Sequence, residues 1–120
     1  EVVKAAAGLS GTGPAQPAHD VWTGSLGDGA TVEYTINVDS LDYPIGVNLI
    51  MNDWESSGWW GGGSYDFDVA LYDPAGNEVA KAETTDRQED IKYTPTTTGT
   101  YTIKVYSYSG SGAYTLDASF

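Results

Sequence analysis

A chain of 120 residues with five Lys plus Arg against seventeen Asp plus Glu, formal charge −12, is long enough for one domain with a real core and too short for two. The acidic balance argues against a nucleic-acid-binding surface, and the lack of cysteine excludes disulfides, thiolate metal sites and a cysteine nucleophile. No apolar run approaches the roughly eighteen residues that span a bilayer, so no membrane partner is expected; with 40% hydrophobic and 18% charged residues, the composition is that of a folded domain rather than an acidic tail.

Residues 1–20 differ from the rest. The start at Glu1, without a methionine or a signal-like apolar region, is expected of a piece of a longer polypeptide. Glu1 to Leu9 is Ala-rich and helically patterned but too short to be stable alone, so it reads as the last turns of a preceding domain or as a docking arm. Ser10 to Ala18, rich in Gly and Pro, reads as linker, and His19 as a solvated residue at its end.

From Val21 onward the pattern is apolar alternation at period two, broken by Gly, Asp, Asn and Pro. Strands are expected at Val21–Leu26, Thr31–Asp39, Ile45–Asn52, Asp66–Tyr72, Glu78–Ala82, Asp90–Thr94, Thr100–Tyr108 and Ala113–Phe120. Asp73-Pro74-Ala75-Gly76-Asn77, Gly27-Asp28-Gly29, Pro95 to Gly99 and Gly110-Ser111-Gly112 supply the turns. Eight short strands at this spacing predict an all-β domain over 21–120, an antiparallel β-sandwich of jelly-roll type. In the last two strands, Tyr101, Ile103 and Val105 are expected to pair as a hairpin with Tyr114, Leu116 and Ala118, leaving Tyr106 and Tyr108 on a partly wetted face.

The segment Met51 to Asp73 carries the chemistry. If Tyr65, Phe67, Val69 and Leu71 point inward, Asp66 and Asp68 share the other face about 7 Å apart. Two such carboxylates repel unless a cation neutralises them, and basic residues are scarce. Calcium, which takes six to eight oxygen ligands from carboxylates and loop carbonyls, is the hard cation this stock suits. Asp53, or Asp86 and Glu89 in the acidic stretch 86–90, could close the cage. The same D-x-D is equally compatible with a solvated strand face.

Trp54, Trp59 and Trp60 flank Gly61-Gly62-Gly63. Such aromatics either stack on sugar rings or grip a protein partner, or they cap the sandwich and pack on a neighbouring domain. Catalysis has little support: His19 is the single histidine, and the Asp66/Asp68 pair offers no separate environments to divide acid and base roles.

The stretch Y-D-F-D-V-A-L-Y-D-P-A-G-N-E-V-A (65–80), followed by E-D-I-K-Y-T-P-T-T-T-G-T-Y-T-I-K-V-Y-S-Y-S-G-S-G-A-Y-T-L-D (89–117), resembles the pre-peptidase C-terminal domain and the related β-jelly-roll domains appended to subtilisin-like serine proteases. With V-W-T-G-S-L at 21–26, the resemblance spans nearly everything after the linker. It implies a non-catalytic, monomeric accessory domain of a secreted protein, placed after a protease catalytic domain whose last helix resembles Glu1 to Gly8. It also implies calcium bound at Asp66 and Asp68, with Asp53, Asp86 and Glu89 as further ligands, and stabilisation outside the cell. The segment from Trp54 to Ser64 is longer and richer in Trp than the corresponding turn of the family. The alternative expectation is therefore attachment to insoluble protein or polysaccharide through Trp54, Trp59 and Trp60.

Overall fold

The computed structural model describes residues 17–52, 65–84 and 86–120. Eight strands follow in chain order: β1 (His19–Leu26), β2 (Thr31–Val38), β3 (Ile45–Met51), β4 (Asp66–Tyr72), β5 (Glu78–Ala82), β6 (Gln88–Tyr93), β7 (Gly99–Ser109) and β8 (Gly112–Ser119). They form two four-stranded sheets, ordered β1-β8-β3-β6 and β2-β7-β4-β5, with every pairing antiparallel. The described residues contain no helix, and the Ala-rich pattern of 1–9 lies outside them.

Period-two alternation becomes burial directly. Val47, Leu49 and Met51 of β3, Phe67, Val69 and Leu71 of β4, Tyr101, Ile103 and Val105 of β7, and Tyr114, Leu116 and Ala118 of β8 are all buried in one core between the sheets. At about 25 cal/mol per Å² of apolar area removed from water, this shared core is the main stabilising term.

Two expectations are corrected. β7 and β8 do not form a hairpin: β7 pairs with β2 and β4 in one sheet, and β8 with β1 and β3 in the other. The turn at Gly110 (φ 80°) carries the chain across the sandwich, so the two apolar triplets face each other through the core. His19 is not a linker residue either. It opens β1, pairs with Ser119, and its Nε2 lies 2.7 Å from the Asp117 carboxylate.

The seam between the edge strands β1 and β2 is closed by aromatics. Trp22 stacks on Tyr34 at 4.8 Å between ring centroids, and the Tyr34 hydroxyl bonds that of Tyr114. Tyr114 reaches this partner because Gly24 lies beneath it. A Cβ at Gly24 would sit 2.7 Å from the Tyr114 oxygen, so any larger residue would push the ring away.

The sandwich has two distinct ends. Ala18 and Phe120 lie at one, exchanging backbone hydrogen bonds of 2.6 and 2.9 Å, beside Asn37 and Asp39 where the chain leaves β2. Asn52 and Tyr65 mark the other: the Asn52 N–H and the Tyr65 hydroxyl both donate to the carbonyl of Ala113. Ala113 pairs with Ser25, six positions along β1 from His19, a separation of about 20 Å at strand rise.

Candidate metal centre

β4 begins at this second end. Its ladder with β5 runs only from Val69 to Tyr72, so Asp66 and Asp68 extend beyond the β5 pairing. β5 then stops at Ala82, and the chain crosses from one sheet to the other to start β6 at Gln88. That crossing brings Glu89 to the two aspartates. One carboxylate oxygen from each of Asp66, Asp68 and Glu89 lies within 4.8 Å of the others.

Two of the three acids are buried and Asp66 is half-buried. Asp68 is 4% exposed and Glu89 1%; Oδ1 of Asp66 and Oδ1 of Asp68 are both shielded from solvent and have no hydrogen-bond partner. Burial is the largest cause raising all three pKa values. Asp68 is pushed up to about 7, because the nearby carboxylates of Asp66 and Glu89 add to its desolvation. Glu89 is raised by desolvation while hydrogen bonds from Thr84 oppose the rise. The Thr84 N–H donates to Oε2 at 2.6 Å and its hydroxyl to Oε1 at 2.7 Å, holding the Glu89 carboxylate in place.

A buried carboxylate normally finds donors, and two bare oxygens beside a third acid leave two ways to balance the charge: protons or a cation. The donor set is all oxygen, which matches a hard cation and not zinc or copper. Around the cluster is a groove of about 290 Å³ lined by Asp66, Asp68, Glu83, Thr84 and Tyr108. Tyr108 is there because of a bulge: Asp66 pairs with Ser109 while Phe67 pairs with Ser107. The intervening Tyr108 is left without a β4 partner and is 75% exposed. Tyr106, one row inward, donates its hydroxyl to Glu83; Glu83 also pairs with Lys81 at 3.1 Å.

Of the residues singled out in the sequence, the structure therefore brings together Asp66, Asp68 and Glu89. Asp86 is exposed and stands outside this group; its backbone N–H donates to the Thr84 hydroxyl at 3.1 Å. Asp53, Trp54, Trp59 and Trp60 lie outside the described residues. Sequence reasoning did not single out Thr84, which positions Glu89, or the bulge that exposes Tyr108. The alternation Glu89, Ile91, Tyr93 did carry a signal for Glu89, since it places that acid on the inward face of β6.

A two-sheet antiparallel sandwich with an acid cluster at one end defines an all-β module. The family model for the bacterial pre-peptidase C-terminal domain matches residues 18–107, and the chain belongs to that family of accessory domains. Among solved structures, the chain is similar to the pre-peptidase C-terminal domain of collagenase from Bacillus anthracis, with 24% identity, TM-score 0.62, and 82% of this chain and 86% of that one covered. It also shares its fold with the Yersinia pseudotuberculosis-derived mitogen (19% identity, TM-score 0.55, 86% of each chain). A further similar fold is PliG of Aeromonas hydrophila, a periplasmic inhibitor of g-type lysozyme (15% identity, TM-score 0.54, 86% of each chain). At these identities the likenesses speak for the fold.

Proposed function

We propose that this domain binds calcium through Asp66, Asp68 and Glu89 and thereby stabilises a secreted protease to which it is appended. The observation that carries this reading is the bare, buried Oδ1 of Asp68 beside two further carboxylates. Three carboxylates supply three to six of the six to eight oxygens calcium takes, leaving the remainder to water or loop carbonyls. Because β4 and β6 belong to different sheets, an ion held between them clips the sandwich across its layers. Extracellular calcium modules typically bind with Kd of about 10⁻⁴–10⁻³ M, which suits a setting outside the cell. Family membership supports that setting and a protease parent; the resemblance of the sequence motifs favours a subtilisin-like one, while the Bacillus anthracis neighbour belongs to a collagenase.

The mechanism is linkage. An ion that binds the folded state and not the unfolded one adds RT ln(1 + [Ca]/Kd), about 2.7 kcal/mol at a hundred times Kd. For a domain of this size that corresponds to a rise in Tm of about 10 °C or more. Thermal melts in saturating calcium and in excess chelator, at matched ionic strength, test it. Coincident melts would overturn the proposal.

A second reading, attachment to insoluble protein or polysaccharide through Trp54, Trp59 and Trp60, is favoured by one observation. The residues flanking that segment, Asn52 and Tyr65, sit at the end of the sandwich remote from Ala18 and Phe120. Pull-down on collagen, keratin, chitin and cellulose, with Trp59→Ala/Trp60→Ala as the control, tests it. Retention by none of these, or retention untouched by the double substitution, would refute an aromatic platform.

A further inference from the structure

Arg87 is the single arginine of the chain, and it is spent on backbone carbonyls. Its Nε donates to the Met51 carbonyl at 3.1 Å and its Nη2 to the Asn52 carbonyl at 3.3 Å. The Met51 N–H in turn donates to the Arg87 carbonyl at 3.1 Å. The other side of Met51 meets β4, where the Phe67 N–H points at the Met51 sulfur at 3.3 Å. Phe67 lies between Asp66 and Asp68, and Arg87 lies two residues before Glu89. The end of β3 is therefore gripped by the same two limbs that carry the three carboxylates.

From this arrangement we infer that Arg87 is a positioning residue coupling the cation site to the end of β3, the point from which the Trp54–Trp59–Trp60 stretch departs. The inference rests on the calcium reading of the acid cluster. Without a cation, like charges push the Asp66–Asp68 limb and the Glu89 limb apart. With one, both limbs are drawn onto the ion, Thr84 and Glu89 settle together, and the stretch Asp86–Arg87–Gln88 moves with them. The planar guanidinium, bonded to two successive carbonyls, passes that displacement to Met51 and Asn52, which a single-point lysine ammonium would do less faithfully. Asn52 is also fixed on the β8 side, its N–H to Ala113 and its side-chain oxygen to the Thr115 hydroxyl at 3.1 Å. Cation binding thus changes the hold on one side of Asn52 against a fixed hold on the other. By reciprocity, whatever engages the chain beyond Asn52 alters calcium affinity by the same factor.

The test is a calcium titration of the isotopically labelled domain, following the Thr84 amide and the carbonyl carbons of Met51 and Asn52 by NMR. Arg87→Gln keeps the Met51–Arg87 backbone bond and removes the guanidinium; Lys92→Gln, an equal charge loss on the outer side of β6, is the control. In the wild type and in Lys92→Gln all three signals shift with one saturation curve. In Arg87→Gln the Thr84 shift persists, while the shifts at Met51 and Asn52 shrink by about threefold or more. Undiminished Met51 and Asn52 shifts in Arg87→Gln, or a wild type in which Thr84 alone responds, overturns the coupling and leaves the calcium reading intact. A wild type in which none of the three signals responds overturns both.

Discussion

β4 ends in aspartate chemistry at both extremities, and the two extremities are opposites. At its far end Asp73 is fully employed: its Oδ1 accepts the N–H of Ala75 at 3.0 Å and of Asn77 at 2.8 Å, and its backbone closes the turn with Asn77 and Gly76. At its near end Asp66 and Asp68 keep buried oxygens without any donor. Asp73 is a turn-former whose charge is satisfied by the chain itself. The near pair is left without donors from the chain, and protons or the proposed cation balance its charge. One strand thus sets acids that build the fold beside acids that the chain leaves without donors.

The sharpest way to break this contrast is Asp68→Asn. It removes the most strongly perturbed carboxylate, so the calcium-dependent part of stability, about 2.7 kcal/mol at a hundred times Kd, should vanish. Stability in chelator should hold or rise, because an unpaired buried charge is gone. Melts of the variant with and without calcium would then coincide.

The next effect is on pH. Asp68 has a folded pKa raised to about 7 from an ordinary 3.8, chiefly by burial and then by its acidic neighbours; Asp66 and Glu89 are raised as well. A raised acid contributes stability that is complete below its unfolded pKa and is lost as pH climbs through the folded one. In chelator, Tm should therefore fall between about pH 4 and pH 7, and Asp68→Asn should flatten that fall. Saturating calcium should oppose it, since the ion binds the ionised form. The stabilisation by calcium is thus expected to grow with pH over this window.

The smallest effect belongs to the satisfied end. Tyr101 donates its hydroxyl to the Thr97 carbonyl at 2.7 Å, and Tyr101→Phe should cost about 1 kcal/mol. Equal loss in calcium and in chelator is the expected result; a calcium-dependent loss would mean that the two ends are not independent.

Much of the sandwich was legible because alternation at period two reports which side of a strand is buried, and the eight observed strands follow the expected ones closely. What alternation cannot report is the neighbour. Tyr101, Ile103 and Val105 are inward whether β7 pairs with β8 or faces it across the core, so the hairpin reading and the true crossover predict the same buried residues. Only the ladders separate them. The site was legible to a similar depth. Asp66 and Asp68 on one face followed from spacing, whereas the meeting with Glu89 depends on where β5 stops and how the chain changes sheets. Starting β6 at Asp90 rather than at Gln88 hid the inward parity of Glu89. His19 was misplaced because a Pro-rich approach reads as linker, although Ala18 is already bonded to Phe120.

The central claim is that Asp66, Asp68 and Glu89 form a cation site. Calorimetric titration of calcium into the metal-free domain, beside Asp68→Asn, tests it most directly. The account predicts saturable binding with a Kd at or below about 10⁻³ M in the wild type, and no saturable heat over the same calcium range in the variant. Absence of saturable heat in the wild type, or equal affinity in Asp68→Asn, would contradict it.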